Sequence, residues 1–200
     1  MAHYAGHFDF SRPLIRVLPG LFSADECDRL IARVRDGEWL AATVNGRNGR
    51  EIASNIRDNS TAILRDDSLG QLLFERVQSS VPETMQADDF ASGQRVTMRV
   101  VGVYSPLRVY RYEEGQKFGL HHDQSYEGPD NSHSLLTLMV YLNDDFEGGE
   151  TDFPEEKQRV VPVRGSVLWF QHMLLHAGRA VTKGTKYVLR SEVLYRSVSE

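Results

Sequence analysis

The chain reads as an α+β protein, mainly β, with a double-stranded β-helix (jelly-roll) core and supporting helices in its N-terminal half. Three observations predict this. From about Gln94 onward, short β-branched or aromatic runs alternate with turn dipeptides, the pattern of a sandwich or jelly roll. Before that point, two stretches show helical hydrophobic spacing behind capping signals. Finally, 200 residues suffice for one core of ordinary size but not for two enzyme domains. We therefore expect one domain over 1–200, with a support region at 1–93 and the jelly-roll core at 94–196.

The elements follow in order. Leu14 to Phe22 is apolar and broken by Pro19-Gly20. Ser23 and Glu26 form a capping box, each serving an orphan N–H of a first helical turn. Cys27, Leu30, Ile31 and Val34 then lie on one helical face, ending near Gly37. A second helix is expected to open at Ser68, with Gln71 completing a box and Leu69, Leu72, Leu73 and Val77 facing inward. The polar, turn-rich run Asn45 to Arg50 reads as a mobile loop. Strands are expected at Arg95 to Val103, Leu107 to Tyr112, Ser134 to Leu142, Gln158 to Val163, Ser166 to Gln171 and Lys186 to Tyr195.

Composition narrows the function. A net charge of -5 speaks against non-specific binding to nucleic acid or anionic membranes. Cys27 is the only cysteine, so there is no internal disulfide and no cysteine-rich zinc site. The first residues have neither a basic start nor an apolar run, and no long apolar segment follows. These features lead us to expect a soluble, cytoplasmic protein. Seven histidines are then the obvious metal-binding material.

A mononuclear non-haem iron site takes two histidines and one carboxylate on one face, leaving the opposite face open. On a strand, residues i and i+2 point the same way, so His-x-Asp is a natural ligand pair. His121 and Asp123 fit, and the alternation turns His122 away. The signal alone is weak. With seven histidines and 28 acidic residues in 200 positions, about one such match arises by chance. His7-Phe8-Asp9 is a second copy, in an arm without strand periodicity. For the third ligand, His133, His172 and His176 are comparable candidates by chemistry alone.

The text around these residues resembles the prolyl 4-hydroxylase branch of the iron(II)/2-oxoglutarate-dependent dioxygenases. Three blocks carry the likeness: LRVYRYEEGQKFGLHHD from Leu107 to Asp123, LTLMVYLNDDFEGGETDFP from Leu136 to Pro154, and the stretch from Val160 to Tyr195 containing LHAG and GTKY. The run from Val17 to Ile31 is similar to the family's lead-in. The resemblance implies His121, Asp123 and His176 as iron ligands, His176 being preferred to His172 because Leu175-His-Ala-Gly178 is the matching context. It also implies that Lys186 binds the distal carboxylate of 2-oxoglutarate and that Tyr112 supports it. A dicarboxylate chelating iron leaves one anion in an apolar barrel, and a lysine on the last strand answers that charge. Arg190 alternates onto the same face and is the second candidate anchor, while Thr137 is a further candidate contact.

Family likeness implies Fe(II), 2-oxoglutarate and O₂ as participants, with ascorbate as an accessory. It implies decarboxylation to succinate coupled to hydroxylation of an aliphatic C–H. Halogenating relatives lack the carboxylate that Asp123 supplies, so hydroxylation is the implied outcome. Peptidyl-proline and a small molecule such as a free amino acid are both open as substrates. The segment from Asn45 to Ser60, with Arg47, Arg50 and Arg57, and the loop from Gln124 to His133 are the regions expected to decide. Arg57 either pairs with a substrate anion or forms a surface salt bridge. The missing signal peptide argues against a collagen-type substrate of the secretory pathway.

Rival readings are weaker. A non-catalytic jelly-roll binding module has no need of three ligands and a lysine together. A zinc hydrolase would accept the same ligands but lacks a positioned general base. Gly148-Gly149-Glu150-Thr151 has no Lys-Ser/Thr ending and reads as a turn, not a phosphate loop. Trp169 and Phe170 are expected in the core or the pocket wall.

Overall fold

The 12-residue strand Lys186–Ser197 organises the main sheet and is buried along most of its length. The computed structural model describes residues 4–6, 14–46, 49–51, 53, 55–89 and 92–198. On one edge the long strand pairs antiparallel with His133–Tyr141. Its other edge is shared: the first half pairs with Leu107–Tyr112 and the second with Arg95–Val103. His133–Tyr141 continues outward to Val167–Gln171, which pairs with Ile15–Leu18. Ser60–Leu64 and Thr84–Asp89 extend the opposite side. Strands from the first half of the chain thus widen the same sheet.

This sheet is covered on both faces, which is why its central strands read as nearly unbroken apolar runs. Leu136, Leu138 and Val140 pack in one cluster with Cys27, Leu30, Leu69 and Leu73 of the helices. The alternate residues turn the other way, and Tyr141 joins Phe153, Val160, Phe170 and Val188 in a second cluster. Phe153 and Val160 come from a second, four-stranded sheet made of Phe118–His121, His176–Gly178, Thr151–Phe153 and Gln158–Val160. The apolar layer between the two sheets is the interior of the jelly roll, as the strand pattern predicts.

Local chemistry explains the helix ends. Helix Ala24–Arg35 begins with the full capping box of Ser23 and Glu26 and buries Cys27, Leu30, Ile31 and Val34. Helix Asp67–Val77 differs from expectation at its start. Its N-cap is Asp66, whose carboxylate accepts from the Leu69 N–H, and Ser68 lies within the first turn. An aspartate cap matches serine in strength and adds charge at the positive helix end. Of the expected inward residues, Leu72 is only half-buried.

Two other expectations change. The run expected as a mobile loop is a hairpin of Val44–Gly46 and Gly49–Glu51, with Asn45 opposite Arg50. The strand expected over Gln158 to Val163 stops at Val160 and leaves Val161 and Val163 exposed. Pro162 lacks the N–H that would continue the ladder. The His7-Phe8-Asp9 copy and Arg47 lie outside the described residues, as does the side chain of Arg50. Among the described residues, no helix is long and apolar enough to cross a membrane.

The revised cap is testable by urea unfolding. Asp66→Ala should cost about 1–2 kcal/mol, whereas Ser68→Ala should stay within about 0.5 kcal/mol.

Candidate metal centre

Antiparallel pairing of Phe118–His121 with His176–Gly178 sets His121 directly opposite His176. Directly opposed side chains leave one face of a sheet together, and the two rings stand 4.1 Å apart between centroids. The first strand ends at His121, and the Asp123 N–H then donates to the His172 carbonyl at 3.0 Å. His121 and Asp123 share a side as expected, and His122 is exposed, its Nδ1 against the Met173 carbonyl at 2.9 Å. The distances from Asp123 to His121 Nε2 and His176 Nε2 are 3.7 and 3.6 Å. Ligand atoms of His121, Asp123 and His176 all lie within 4.8 Å of one another.

Hydrogen bonding determines which nitrogen each histidine presents. His121 Nδ1 donates to the Gly119 carbonyl at 2.8 Å, and His176 Nδ1 donates to the Leu174 carbonyl at 2.9 Å. A carbonyl only accepts, so Nδ1 carries the proton and Nε2 offers its lone pair, the arrangement that orients metal-binding imidazoles. Burial keeps both rings neutral, lowering His121 to about 3 with help from neighbouring His176. Burial alone would raise Asp123, but Arg190 foremost and the neighbouring histidines hold it well below the carboxylate range. Two neutral imidazoles and one carboxylate are the donor set that suits a ferrous ion.

Beside these three residues, a narrow inner chamber is lined by Tyr112, Met139, Thr151 and Lys186, among others. Lys186 is 3% exposed, and its ammonium donates to the Gly149 carbonyl at 2.6 Å. Its Nζ also lies 5.3 Å from the centre of the Tyr112 ring and 5.5 Å from that of Tyr141. Burial pushes the lysine down to about 7. A buried cation whose hydrogen-bond partner is a neutral carbonyl marks a place where an anion is needed. The donor set and this lysine together fit a metal with a chelating dicarboxylate.

The comparisons agree with that fit. The sequence profile of the 2OG-Fe(II) oxygenase superfamily matches residues 107–191. Prolyl 4-hydroxylase 2 of Arabidopsis thaliana is 26% identical over 151 residues, covering 74% of this chain and 46% of its own length. Probable prolyl 4-hydroxylase 9 of the same plant is 29% identical over 206 aligned positions, covering 88% and 67%. The chain thus spans between about half and two thirds of the length of these relatives. The viral collagen prolyl hydroxylase of Paramecium bursaria Chlorella virus-1, solved as a 2OG complex, shares the fold. Its TM-score is 0.57 at 24% identity, over 90% of this chain and 95% of that one. Residues 107–191 are thus similar to the 2OG-Fe(II) oxygenase superfamily, and the relatives that align along most of the chain are prolyl 4-hydroxylases.

Two expected co-substrate contacts are engaged by Asp123. Arg190 pairs with Asp123 at 2.8 Å and with Glu192 at 2.6 Å. Thr137 donates its hydroxyl to Asp123 at 2.5 Å. The reason is geometric. Thr137 and Arg190 lie on adjacent strands, where Thr137 is opposite Glu192 and Met139 opposite Arg190, and Asp123 comes down beside them. Arg190 borders the chamber, but its charge is already matched; Lys186 sits four residues away, about 13 Å along the strand. Tyr112 lines the chamber as expected.

The other candidates are placed clearly. His133 begins its strand, opposite Tyr195, outside the three-residue cluster. His172 is buried, and burial lowers it to about 4; it also lies outside the cluster. Trp169 is core, its Nε1 donating to Ser80, while Phe170 walls the His176 ring at 4.5 Å. Gly148-Gly149 is the expected turn, and its second carbonyl holds Lys186.

Several residues escape sequence reasoning. Phe118 stacks on His121 at 3.5 Å with an interplanar angle of 13°. Glu192 is fully buried and accepts from both Arg190 and Arg108. A charge in the middle of an apolar strand was the available signal for Glu192. Nothing local marks Phe118.

Ferrous or cobaltous ion titration separates the third-ligand candidates. His176→Ala should lose tight metal binding, whereas His172→Ala should retain it. Thr137→Val should weaken metal binding by about tenfold, the usual scale for losing a partner that orients a ligand.

Proposed function

We propose that this chain is an Fe(II)/2-oxoglutarate-dependent dioxygenase hydroxylating an aliphatic C–H of a peptidyl-proline or small-molecule substrate. The observation that carries the reading is the convergence of His121, Asp123 and His176 at the mouth of a chamber that reaches the buried Lys186. Bound Fe(II), 2-oxoglutarate and O₂ supply the oxidising chemistry, yielding succinate, CO₂ and a hydroxylated product.

The chain's own residues do the binding and orienting. His121 and His176 present unprotonated Nε2 atoms, and Asp123 adds the one negative charge. Thr137 and Arg190 hold that carboxylate from behind. Lys186 pairs with the distal carboxylate of the co-substrate, and the Tyr112 and Tyr141 rings exclude water around it. A wider cleft of about 530 Å³, bordered by His121 and Asp123, is the place for the substrate. The single cysteine, Cys27, is buried and free, and we place the protein in the reducing cytoplasm.

Anaerobic addition of Fe(II) and 2-oxoglutarate should give a visible metal-to-ligand charge-transfer band; a folded protein without it overturns the reading. Lys186→Ala should raise the 2-oxoglutarate requirement by an amount equivalent to about 2–5 kcal/mol. The pH dependence has a definite sign. In the free protein Lys186 loses its proton near pH 7, and a bound carboxylate raises that value. Binding above pH 7 therefore takes up a proton, and affinity should fall by at most about tenfold per pH unit. Calorimetry in two buffers of different ionisation enthalpy reads this directly. In Lys186→Ala the proton uptake should vanish.

A further inference from the structure

The outer cleft contains a cation that the proposed chemistry leaves unused. Arg57 is 9% exposed and lines the cleft together with His121 and Asp123. Its guanidinium carbon lies 4.4 Å from the centres of both the Tyr110 and Phe118 rings. Phe118 in turn stacks on His121, so the guanidinium is close to the metal ligands. Nε donates to Asn59 Oδ1 at 2.7 Å, and Nη1 reaches the Thr43 carbonyl only at 3.5 Å. Nη2 is buried and makes no hydrogen bond among the described residues. The surface salt bridge considered from sequence is absent among the described residues.

Charge accounting sharpens the point. Arg57, Arg108 and Arg190 all border this cleft. Arg190 is matched by Asp123 and Glu192, and Arg108 by Glu192 at 3.3 Å. Arg57 has no carboxylate among the described residues. The Tyr110 phenol registers the excess: burial would raise its pKa, but Arg190, Arg57 and Arg108 outweigh that and lower it. Leaving a buried guanidinium without a counter-charge is costly. A neutral peptide carbonyl would satisfy the free N–H but not the charge. A carboxylate would do both, and it suits the two-pronged donor geometry of Nη1 and Nη2.

The rest of the cleft defines the body of the ligand. Leu40, Ile56, Ile63 and Leu120 border it and are between 39% and 59% exposed. Large apolar side chains left open around a concave site mark a surface that apolar matter covers. We propose that the substrate is a carboxylate carried on an apolar body, its carboxylate paired with Arg57 and its apolar part held by this rim above the metal ligands. The inference rests on the oxygenase reading and narrows its substrate class.

The test uses 2-oxoglutarate consumption above the substrate-free rate. The probes are apolar amino acids, N-acetyl amino acids including N-acetylproline, and short prolyl peptides, each as free acid and as amide. In the wild-type protein, acids should stimulate, and their amides should need at least about tenfold higher concentration. Arg57→Gln should bring that ratio close to one, while Arg57→Lys should keep part of it. The ratio is read within each protein, so altered basal turnover does not obscure it. Amidated peptides with an acidic side chain separate the two sources of carboxylate: stimulation by them, but not by amidated peptides lacking one, assigns the group to a side chain. Three results overturn the inference: amides as effective as acids, an unchanged ratio in Arg57→Gln, or no stimulation by any acid while the charge-transfer band forms. Loss of the band itself counts instead against the oxygenase reading.

Discussion

The site depends on one carboxylate held in a buried, cation-rich setting. Asp123 lies past the end of its strand, where the backbone alone does not aim it. Its N–H is tied to the His172 carbonyl, and its two oxygens meet Arg190 and Thr137. Those partners stand on the two central strands of the main sheet, so the interior of the sheet orients a carboxylate that its own strand does not. The histidines need less support, because their antiparallel register already sets them face to face. A carbonyl behind each ring then selects the tautomer.

Buried charge is distributed with a clear logic around this centre. Glu192 joins Arg108 to Arg190, and Arg190 reaches Asp123, giving a chain of alternating sign across the inner face. Such a chain is self-compensating, and removing any one member would strand the others in a medium that penalises lone charge. Lys186 and Arg57 stand outside it, one lining each of the two cavities that His121 and Asp123 border. Both are buried cations held by neutral partners, and each opens onto a cavity. The inner cation answers the proposed co-substrate and the outer one the proposed substrate acid.

Much of this was legible in the linear order. The jelly-roll core follows from the strand and turn rhythm after Gln94, and the first helix from its capping box and its stripe of Cys27, Leu30, Ile31 and Val34. The helical cap at Asp66 was misplaced because serine and aspartate cap by the same chemistry, and Ser68 with Gln71 imitates a box. The hairpin around Asn45 was missed because its turn residues are those of a loop, and only the pairing of its arms distinguishes the two. Lys186 and Arg190 illustrate the limit most clearly. Both project from one face of one strand, and alternation cannot rank them. The ranking comes from Asp123 and Glu192, which engage the arginine and leave the lysine with a carbonyl.

What the sequence by itself determined is the periodic and the chemical: alternating strands, a His-x-Asp pair, and a basic residue on the last strand, each written in residue type and spacing. Tertiary structure decided whatever depends on partners distant in the chain. It brought His176 into the cluster, as the likeness around Leu175-His-Ala-Gly178 implied, drew Thr137 and Arg190 to Asp123, and buried Arg57 between Tyr110 and Phe118 with no counter-ion among the described residues. The physical reason is that burial and charge compensation are properties of a neighbourhood. A neighbourhood assembled from five separate strands is not contained in any one stretch of text.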